Sequence, residues 1–464
     1  MPQHSRFSVR VLAMLTAALG LNACGGTGMG APQSYTVGGV VSGLAGSSLV
    51  LQNGNGTELT VSANGTFVFP SSVAAGSAYA ISIKAQPTNS SQSCVILNAS
   101  GEVTDTNISN IVVSCPADGR FVYASSHSDI NCFTADPTTG ALTPLPASPC
   151  DVGVLTGVAV DPNGKFAYAT VSDTNQIRAY TIDNSTGSLS ATPGSQLDAG
   201  GSTGPVGPSN PVDITVDPTG HFVFMANYAG SISAYAINSA TGALSTVSGS
   251  PFPTAPAAIA GQVPGAVSVT VDPTARFLYA AINQGNDISA YAIDSSTGAL
   301  TPIPGSPFPA GTLPMTVRVD PTGRFAYVTN ANSNNISAYS IDSVTGALTA
   351  LAGSPFLTGG SSPIGLAIDP VDNFVFVTNN GSNTVSVFTI DSDGSLSPVA
   401  GSPFPGGPNL YSAAVHPSGH FLYIGSGNVS GYAINSTGYL TPIVGSPFAT
   451  IGDGSGPYSF AFAD

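Results

Sequence analysis

Hydrophobic and polar residues alternate in short bursts along most of the chain, the pattern of strands that bury one face and wet the other. Between residues 35 and 115 the bursts are Tyr35-Thr-Val-Gly-Gly-Val-Val, Ser48-Leu-Val-Leu, Leu59-Thr-Val, Thr66-Phe-Val-Phe, Tyr79-Ala-Ile-Ser-Ile and Ile111-Val-Val. Gly, Asn, Pro and Ser punctuate them, so the segment predicts a small β-sandwich over 35–115. A unit of that size has a limited core, and a disulfide contributes materially to holding it.

From residue 116 onward the pattern repeats. Val319-Asp-Pro-Thr-Gly-Arg-Phe-Ala-Tyr-Val-Thr-Asn330 is followed by Asn335-Ile-Ser-Ala-Tyr-Ser-Ile-Asp-Ser-Val-Thr-Gly-Ala-Leu348 and Gly353-Ser-Pro-Phe356. The same phrase opens at Val160, Val216, Val271, Ile368 and Val415, and a degenerate copy opens at Pro116-Ala-Asp-Gly-Arg-Phe121. Asp161, Asp217, Asp272, Asp320 and Asp369 follow at spacings of 56, 55, 48 and 49 residues, and His416 takes the Asp place 47 residues later. Each unit reads as four strands: an inner one ending at the Asp-Pro turn, a second through Phe-Ala-Tyr-Val, a third through Ile-Ser-Ala-Tyr, and an outer one after Thr-Gly-Ala-Leu. In Asp-Pro-Thr-Gly, Pro pre-sets φ and Gly supplies a positive φ, which fixes the turn. Four strands at a period near 48 predict a propeller blade, because one blade cannot bury both its faces alone. Seven such units give a seven-bladed β-propeller over 116–464.

The two ends of that segment are complementary. Gly456-Pro-Tyr-Ser-Phe-Ala-Phe-Ala-Asp464 matches only an inner strand, and Asp464 falls 48 residues after His416. The first repeat lacks an inner strand. Residues 457–464 are therefore expected to complete the first blade and close the ring without a free edge.

Composition narrows the picture. Charged residues make up only 7% of the 464, hydrophobic ones 42%, and there are 55 glycines. Scarcity of Glu, Lys and Arg removes the usual helix formers and reinforces an all-β expectation. With nine basic residues and a net charge of −15, the chain cannot neutralise a run of phosphates, so nucleic acid is excluded as a partner. The first 24 residues read differently: basic Arg6 and Arg10, an apolar run from Val11 to Leu21, then Leu21-Asn22-Ala23-Cys24. This is a signal-peptide pattern too short to span a bilayer comfortably, and its end resembles a bacterial lipobox with Cys24 as the lipidated residue. Residues 25–34 form a flexible tether. Export and an acyl anchor in a bacterial cell envelope follow, on the outer membrane by the resemblance of Gly25 after Cys24. The membrane is then a partner through the lipid. Cys94, Cys115, Cys132 and Cys150 remain, an even number in an oxidising compartment. Three pairings are possible; the local ones, Cys94–Cys115 and Cys132–Cys150, are favoured. None of the four lies in a CxxC pair, so no metal site and no cofactor are expected.

Over residues 116–464 the blade phrase, with Tyr-x-Ile-Asp-x-x-Thr-Gly-x-Leu and Gly-Ser-Pro-Phe, resembles the seven-bladed lactonase-like propellers, which include 6-phosphogluconolactonases and fungal carboxy-muconate cyclases. The N-terminal segment resembles Ig-like or prealbumin-like modules. The first resemblance implies the propeller fold, and it implies activity if the family's His, Arg and Glu groups are present. The only glutamates, Glu58 and Glu102, lie outside the propeller.

Residues that recur in every blade serve the blade, so a site belongs where the repeat is broken. Arg318 and Asp213 replace small residues on inner strands. His127 sits in the loop after a second strand, opposite the Asp-Pro turns. These three are the catalytic candidates, with His127 or Asp213 activating water and Arg318 stabilising an oxyanion. Arg178, which replaces a Ser on a third strand, and Asn227, Asn330 and Asn379, which end second strands and are expected to ring the channel mouth, are the ligand-binding candidates. The leading expectation is a lipid-anchored binding module for a glycan, peptide or envelope protein. The alternative is a hydrolase acting on an unphosphorylated lactone, and the third is a structural envelope component.

Overall fold

The computed structural model describes residues 33–44, 48–87, 94–115, 119–200, 210–254, 263–370, 374–451 and 456–463. The leader with Cys24, the tether up to residue 32, residues 116–118 that open the first repeat, and Asp464 lie outside the described residues. All regular structure among the described residues is strand, and no helix among them is long and apolar enough to cross a membrane.

Two four-stranded sheets, with a two-stranded ribbon of Ser34–Tyr35 and Val73–Ala74, form the N-terminal unit. One runs in the order Gly65–Val68, Val37–Ser42, Ile108–Ser114, Val95–Leu97, and the other in the order Glu58–Val61, Leu49–Asn53, Ala78–Ala85, Ser100–Glu102. The alternating residues of both sheets meet in one core that includes Val37, Val41, Leu49, Leu51, Phe67, Ile81, Ile111 and Val113. Cys94 and Cys115 are bonded at its edge and buried.

Seven further sheets follow, each built from an inner, second, third and outer strand in that order. The second strands, such as Phe166–Val171, Phe277–Ile282 and Phe325–Asn330, are buried at every residue. Their near-continuous apolar runs mark strands covered on both faces, here by the blades on either side. Cys132 and Cys150 are bonded within the first of these blades. That blade is assembled from both ends of the segment. Ser459–Ala463 is its inner strand and pairs antiparallel with Phe121–Ser125, with Phe460 opposite Ala124 and Phe462 opposite Val122.

The repeated Asp residues explain themselves at the turns. Asp272 Oδ1 accepts the amides of Arg276 and Phe277 at 2.7 Å, and Asp217 does the same for His221 and Phe222. His416 holds the equivalent turn in the last blade, its ring nitrogens at 2.8 Å from Ser418 Oγ and 3.1 Å from the Gly119 carbonyl oxygen.

The glycine just before each outer strand, in Thr-Gly-x-Leu or, in the sixth blade, in Asp393-Gly394-Ser395-Leu396, makes the contact between blades. At all seven interfaces this glycine lies against the first Phe of the preceding blade's second strand: Gly187 on Phe121, Gly242 on Phe166, Gly298 on Phe222, Gly346 on Phe277, Gly394 on Phe325, Gly438 on Phe374, and Gly140 on Phe421 across the closure. At five of them a buried Tyr two residues after that Phe donates its hydroxyl to the same glycine's carbonyl, as Tyr279 does to Gly346 at 2.8 Å and Tyr423 to Gly140 at 2.7 Å. Phe224 and Phe376 take that place in the other two. Burial pushes the Tyr279 and Tyr423 phenols well above their ordinary range, so they act as donors at all physiological pH.

The N-terminal unit touches the Asp-Pro turn face of the ring. Asn64 Nδ2 donates to Asn163 Oδ1 at 2.7 Å, and Asn98 Nδ2 to the Thr322 carbonyl at 2.8 Å. The opposite face carries the His127 loop.

These contacts rank two substitutions. Gly346 has φ +74°, and a Cβ there sits 2.4 Å from the Phe277 ring. Gly346→Ala therefore combines the left-handed cost of about 1–2 kcal/mol with an overpacking cost of about 1–3 kcal/mol. Tyr327→Phe loses the hydroxyl's bond to Gly394, about 1 kcal/mol. Thermal unfolding of the two variants is expected to show a much lower Tm for Gly346→Ala.

Candidate functional site

The inner strands surround an axial cavity of about 650 Å³. The residue five before each turn Asp or His faces it: Thr156, Val212, Val267, Met315, Ile364 and Tyr411. The next residue faces it as well in most blades, as Asp213, Ser268, Thr316, Gly365 and Ser412 do. Two successive residues point the same way because the inner strands are bulged at this point. The register shifts between Pro211 and Asp213, Ala266 and Ser268, Pro314 and Val317, and Pro363 and Leu366. A bulge re-aims a side chain that regular alternation would turn inward.

The wall is mostly aliphatic and hydroxyl-bearing. Among the described lining residues Arg318 is the one cation and Asp213 the one anion. Arg318 Nη1 donates to Ser268 Oγ at 3.1 Å and to the Val317 carbonyl at 2.9 Å, and it lies 3.9 Å from Asp213 Oδ2. Asp213 is anchored in turn, since its Oδ2 accepts the Val269 amide at 3.0 Å. Blades three, four and five thus contribute Asp213, Ser268 and Arg318 to one polar stripe. The Arg318 side chain is 36% exposed and the Asp213 side chain 16%. An ion pair this wet and this long contributes about 1 kcal/mol or less, so Arg318 can turn to a ligand at little cost.

His127 stands at the mouth of the same cavity, exposed, with its ring 4.9 Å from that of Tyr458 and tilted by 38°. Tyr458 stacks on Tyr411 at 5.0 Å and 41°. Sequence reasoning missed both tyrosines, although its own test of broken repeats identifies them. Tyr411 stands where the other inner strands carry Thr, Val, Met, Ile or Ser, and Tyr458 stands where they carry Pro, Leu or Ala.

The structure brings His127, Asp213 and Arg318 to one cavity, but it does not bring the other candidates there. Asn227, Asn330 and Asn379 are fully buried inside their blades, a correction to their expected place at the mouth. Their Nδ2 atoms donate to third-strand groups, Asn227 to Ser233 Oγ at 2.8 Å, Asn330 to Ser337 Oγ at 2.9 Å and Asn379 to Ser386 Oγ at 2.7 Å. Strand alternation turns the next residue outward instead, and it is His127, Tyr228 and Asn283 that line the cavity from that position. Arg178 is likewise corrected. It pairs with Asp151 at 2.7 Å and donates to the Val152 carbonyl at 3.0 Å, tying the first blade to the second away from the channel. Asp151 also accepts the Tyr180 hydroxyl; burial first, and then this carboxylate, push that phenol up. Glu58 and Glu102 lie in strands of the N-terminal unit, and Glu58 pairs there with Lys84.

One group near the mouth is electrostatically unsettled. Asp287 opens a third strand, where Ser231, Asn335 and Thr384 each accept a bond from the Asn that ends their second strand. In this blade Ile282 replaces the Asn, so Asp287 Oδ1 finds no donor among the described residues. Burial pushes its carboxyl up to about 6. A raised acid pKa means that the folded chain binds the extra proton. The cost is absent below about pH 4 and is reached in full above about pH 6. Asp287→Ser is expected to stabilise the fold at pH 7.5 by about 1 kcal/mol, after allowance for solvent screening, and to be neutral at pH 4. Urea unfolding at the two pH values checks it.

The model of the family described as lactonase, 7-bladed β-propeller, matches residues 80–203 and 229–355, more than half of the chain. A 6-phosphogluconolactonase candidate from Bacteroides uniformis is 17% identical with a TM-score of 0.63, covering 74% of this chain and 99% of its own. A second, from Bacteroides fragilis, is 19% identical with a TM-score of 0.63, covering 74% and 98%. The periplasmic gluconolactonase of Pseudomonas aeruginosa is 18% identical with a TM-score of 0.57, covering 71% and 97%. At these identities the structural likeness shows the fold. No curated protein sequence matches the chain.

Proposed function

The chain belongs to the lactonase family of seven-bladed β-propellers, and from that premise we propose that its channel binds and hydrolyses an unphosphorylated lactone. The observation that carries this reading is that Asp213 and Arg318, 3.9 Å apart, share the wall of one cavity with His127. In the reaction His127 or Asp213 takes a proton from water, whose oxygen attacks the lactone carbonyl carbon. Arg318 hydrogen-bonds the oxyanion that develops, which is the contact with most effect on rate in a low-dielectric channel. The ring C–O bond then breaks, the departing oxygen takes the proton back from the base, and the product is an open hydroxy acid.

A phosphorylated lactone is disfavoured. A phosphate dianion wants several cations, and Arg318 stands alone among the described lining residues with Asp213 at 3.9 Å. The family resemblance also leads one to look for a glutamate, and the propeller contains none.

A second reading is favoured by that same neutral wall: the channel binds its ligand without turning it over, as the envelope-located binding module expected above. We place either activity outside the cytoplasm, anchored through Cys24 at the outer membrane. The leader pattern, the lipobox-like Leu21-Asn22-Ala23-Cys24 and the two formed disulfides support this. The Pseudomonas aeruginosa neighbour is described as periplasmic, which agrees with it.

The experiment is a panel of unphosphorylated lactones assayed with the wild type, Arg318→Ala, His127→Ala and Arg178→Ala. Loss of the oxyanion donor is expected to lower kcat/KM by about 10²-fold or more, while Arg178→Ala lowers Tm without changing kcat/KM. Saturable lactone binding with no turnover in the wild type overturns the hydrolase in favour of the binding module.

A further inference from the structure

We propose that the N-terminal unit is the floor of the axial channel. Its sheet of Gly65–Val68, Val37–Ser42, Ile108–Ser114 and Val95–Leu97 lies across the turn-face end of the ring and leaves the His127 face as the way in and out. A blind pocket takes a small molecule or the end of a chain, and it does not take a polymer drawn through the ring. The proposal concerns access, so it stands whether or not the channel hydrolyses what enters it.

The unit reaches opposite sides of the ring. Asn64 meets Asn163, and Gly43, where a Cβ would stand 3.6 Å from the Pro162 carbonyl oxygen, lies beside the same turn of the second blade. Asn98 donates to the Thr322 carbonyl in the fifth blade. Asn110 shares a gap of only about 40 Å³ with Arg276 of the fourth blade and Arg324 of the fifth. Blades two and five stand three steps apart, the widest separation a ring of seven allows. A compact body in contact with both crosses the axis. The axial cavity extends to that end, since Val319, Pro321 and Ile368, which flank the turn Asp residues of blades five and six, line it.

Burial within the unit records the same crossing. Alternation sends Val37, Val41, Ile111 and Val113 into the sandwich core. Val40 and Val112 stand opposite each other on the two middle strands and point out of the sandwich, as Asn110 does. They take no part in its core, yet they are 2% and 3% exposed. On the edge strands of that same face, Val68 and Val95 are exposed. The covered patch is confined to the middle of the sheet, where it passes over the channel end, and the edges overhang. A sheet face open to water carries polar residues at its centre, so paired valines there mark a face built to be covered.

The test reads thiol accessibility in the full chain. Cys24→Ser leaves the added thiols as the free ones, because the other four cysteines are bonded. Val319→Cys places a thiol at the floor and Tyr228→Cys places one at the mouth. N-ethylmaleimide is expected to reach both. In the double variant, a maleimide carrying a polymer too wide for the channel is first attached at the mouth. N-ethylmaleimide is then expected to modify the floor thiol at least about tenfold more slowly than in Val319→Cys alone, since the rate follows access. An unchanged rate reveals a second entrance through the turn face and overturns the proposal, as does a floor thiol that fails to react in the open channel. Adding Asn64→Ala and Val112→Ala, both in the N-terminal unit, is expected to restore the rate to within about threefold. Where that pair of substitutions unfolds the unit, Asn98→Ala alone takes their place. A rate that stays slow assigns the closure to the blades themselves and overturns the role of the unit.

Discussion

The contact on which the rest depends is the seating of the glycine before each outer strand against the second-strand Phe of the blade before it. A single four-stranded sheet of this kind has two apolar faces and no way to cover them. Seven of them cover one another only if every neighbour approaches closely enough to pack. At Gly346 and its counterparts a Cβ would lie 2.3–2.7 Å from the nearest atom of the Phe ring, so the approach is possible only for glycine, in a backbone conformation with positive φ that glycine adopts freely. At five of the seven interfaces the same conformation presents the glycine carbonyl to the Tyr hydroxyl of the preceding blade. One residue type therefore permits the approach and fixes its register. Gly140 on Phe421 uses the same device to join the first and last blades, and the closing strand needs no separate lock.

Because that device is repeated, most of the chain's conspicuous residues are committed to architecture. The Asp residues at the turns spend their carboxylate oxygens on backbone amides, the Ser of each Gly-Ser-Pro-Phe accepts a third-strand amide, as Ser306 does from Ala290 at 2.9 Å, and the Asn at the end of a second strand ties it to the third. The channel wall is where the blade leaves a position free, since Thr, Val, Met and Ile side chains serve equally there. Exceptions collect on two sides of it. Asp213, Ser268 and Arg318 make a polar stripe on consecutive blades, and His127, Tyr458 and Tyr411 make an aromatic side at the ring closure. A ligand spanning the channel would meet aromatic side chains on one side and a hydrogen-bond donor of fixed charge on the other.

The propeller was legible in the sequence because its signal is periodic and local. Asp-Pro-Thr-Gly specifies a turn, Phe-Ala-Tyr-Val specifies a doubly covered strand, and the missing inner strand of the first unit matches the segment that ends in Phe460 and Phe462. Arg318, Asp213 and His127 stood out for a related reason, as departures from a phrase repeated elsewhere. The amides failed by one residue. Deciding whether Asn227 or Tyr228 faces the channel requires the phase of the strand, and hydrophobic pattern does not set it where a strand is buried on both faces, as Phe222–Asn227 is. The bulges on the inner strands were equally invisible, since nothing in Val212-Asp213 or Met315-Thr316 announces that both side chains point one way. Arg178 was misplaced because a departure from the repeat can also be an adjustment between two blades, and Asp151, its partner, lies 27 residues away in a segment the repeat does not cover.

A chain with 7% charged residues makes each remaining charge in its channel more consequential. Counter-charges on a crowded surface screen one another, but here the nearest opposing group to Arg318 is Asp213, and that carboxylate is already bonded to the Val269 amide. The guanidinium is thus oriented by Ser268 and the Val317 carbonyl without being neutralised at hydrogen-bond distance. Orientation without saturation is what a donor aimed at developing negative charge requires, because a donor already in a short ion pair must break it before it can act. A weakly held cation on an aliphatic wall also favours ligands that acquire charge during reaction over ligands that arrive with it, since the latter need more cations than the channel supplies. Neutral composition and the loose Arg318–Asp213 pair therefore favour the ligand proposed for the channel, an uncharged ring with a polarisable carbonyl.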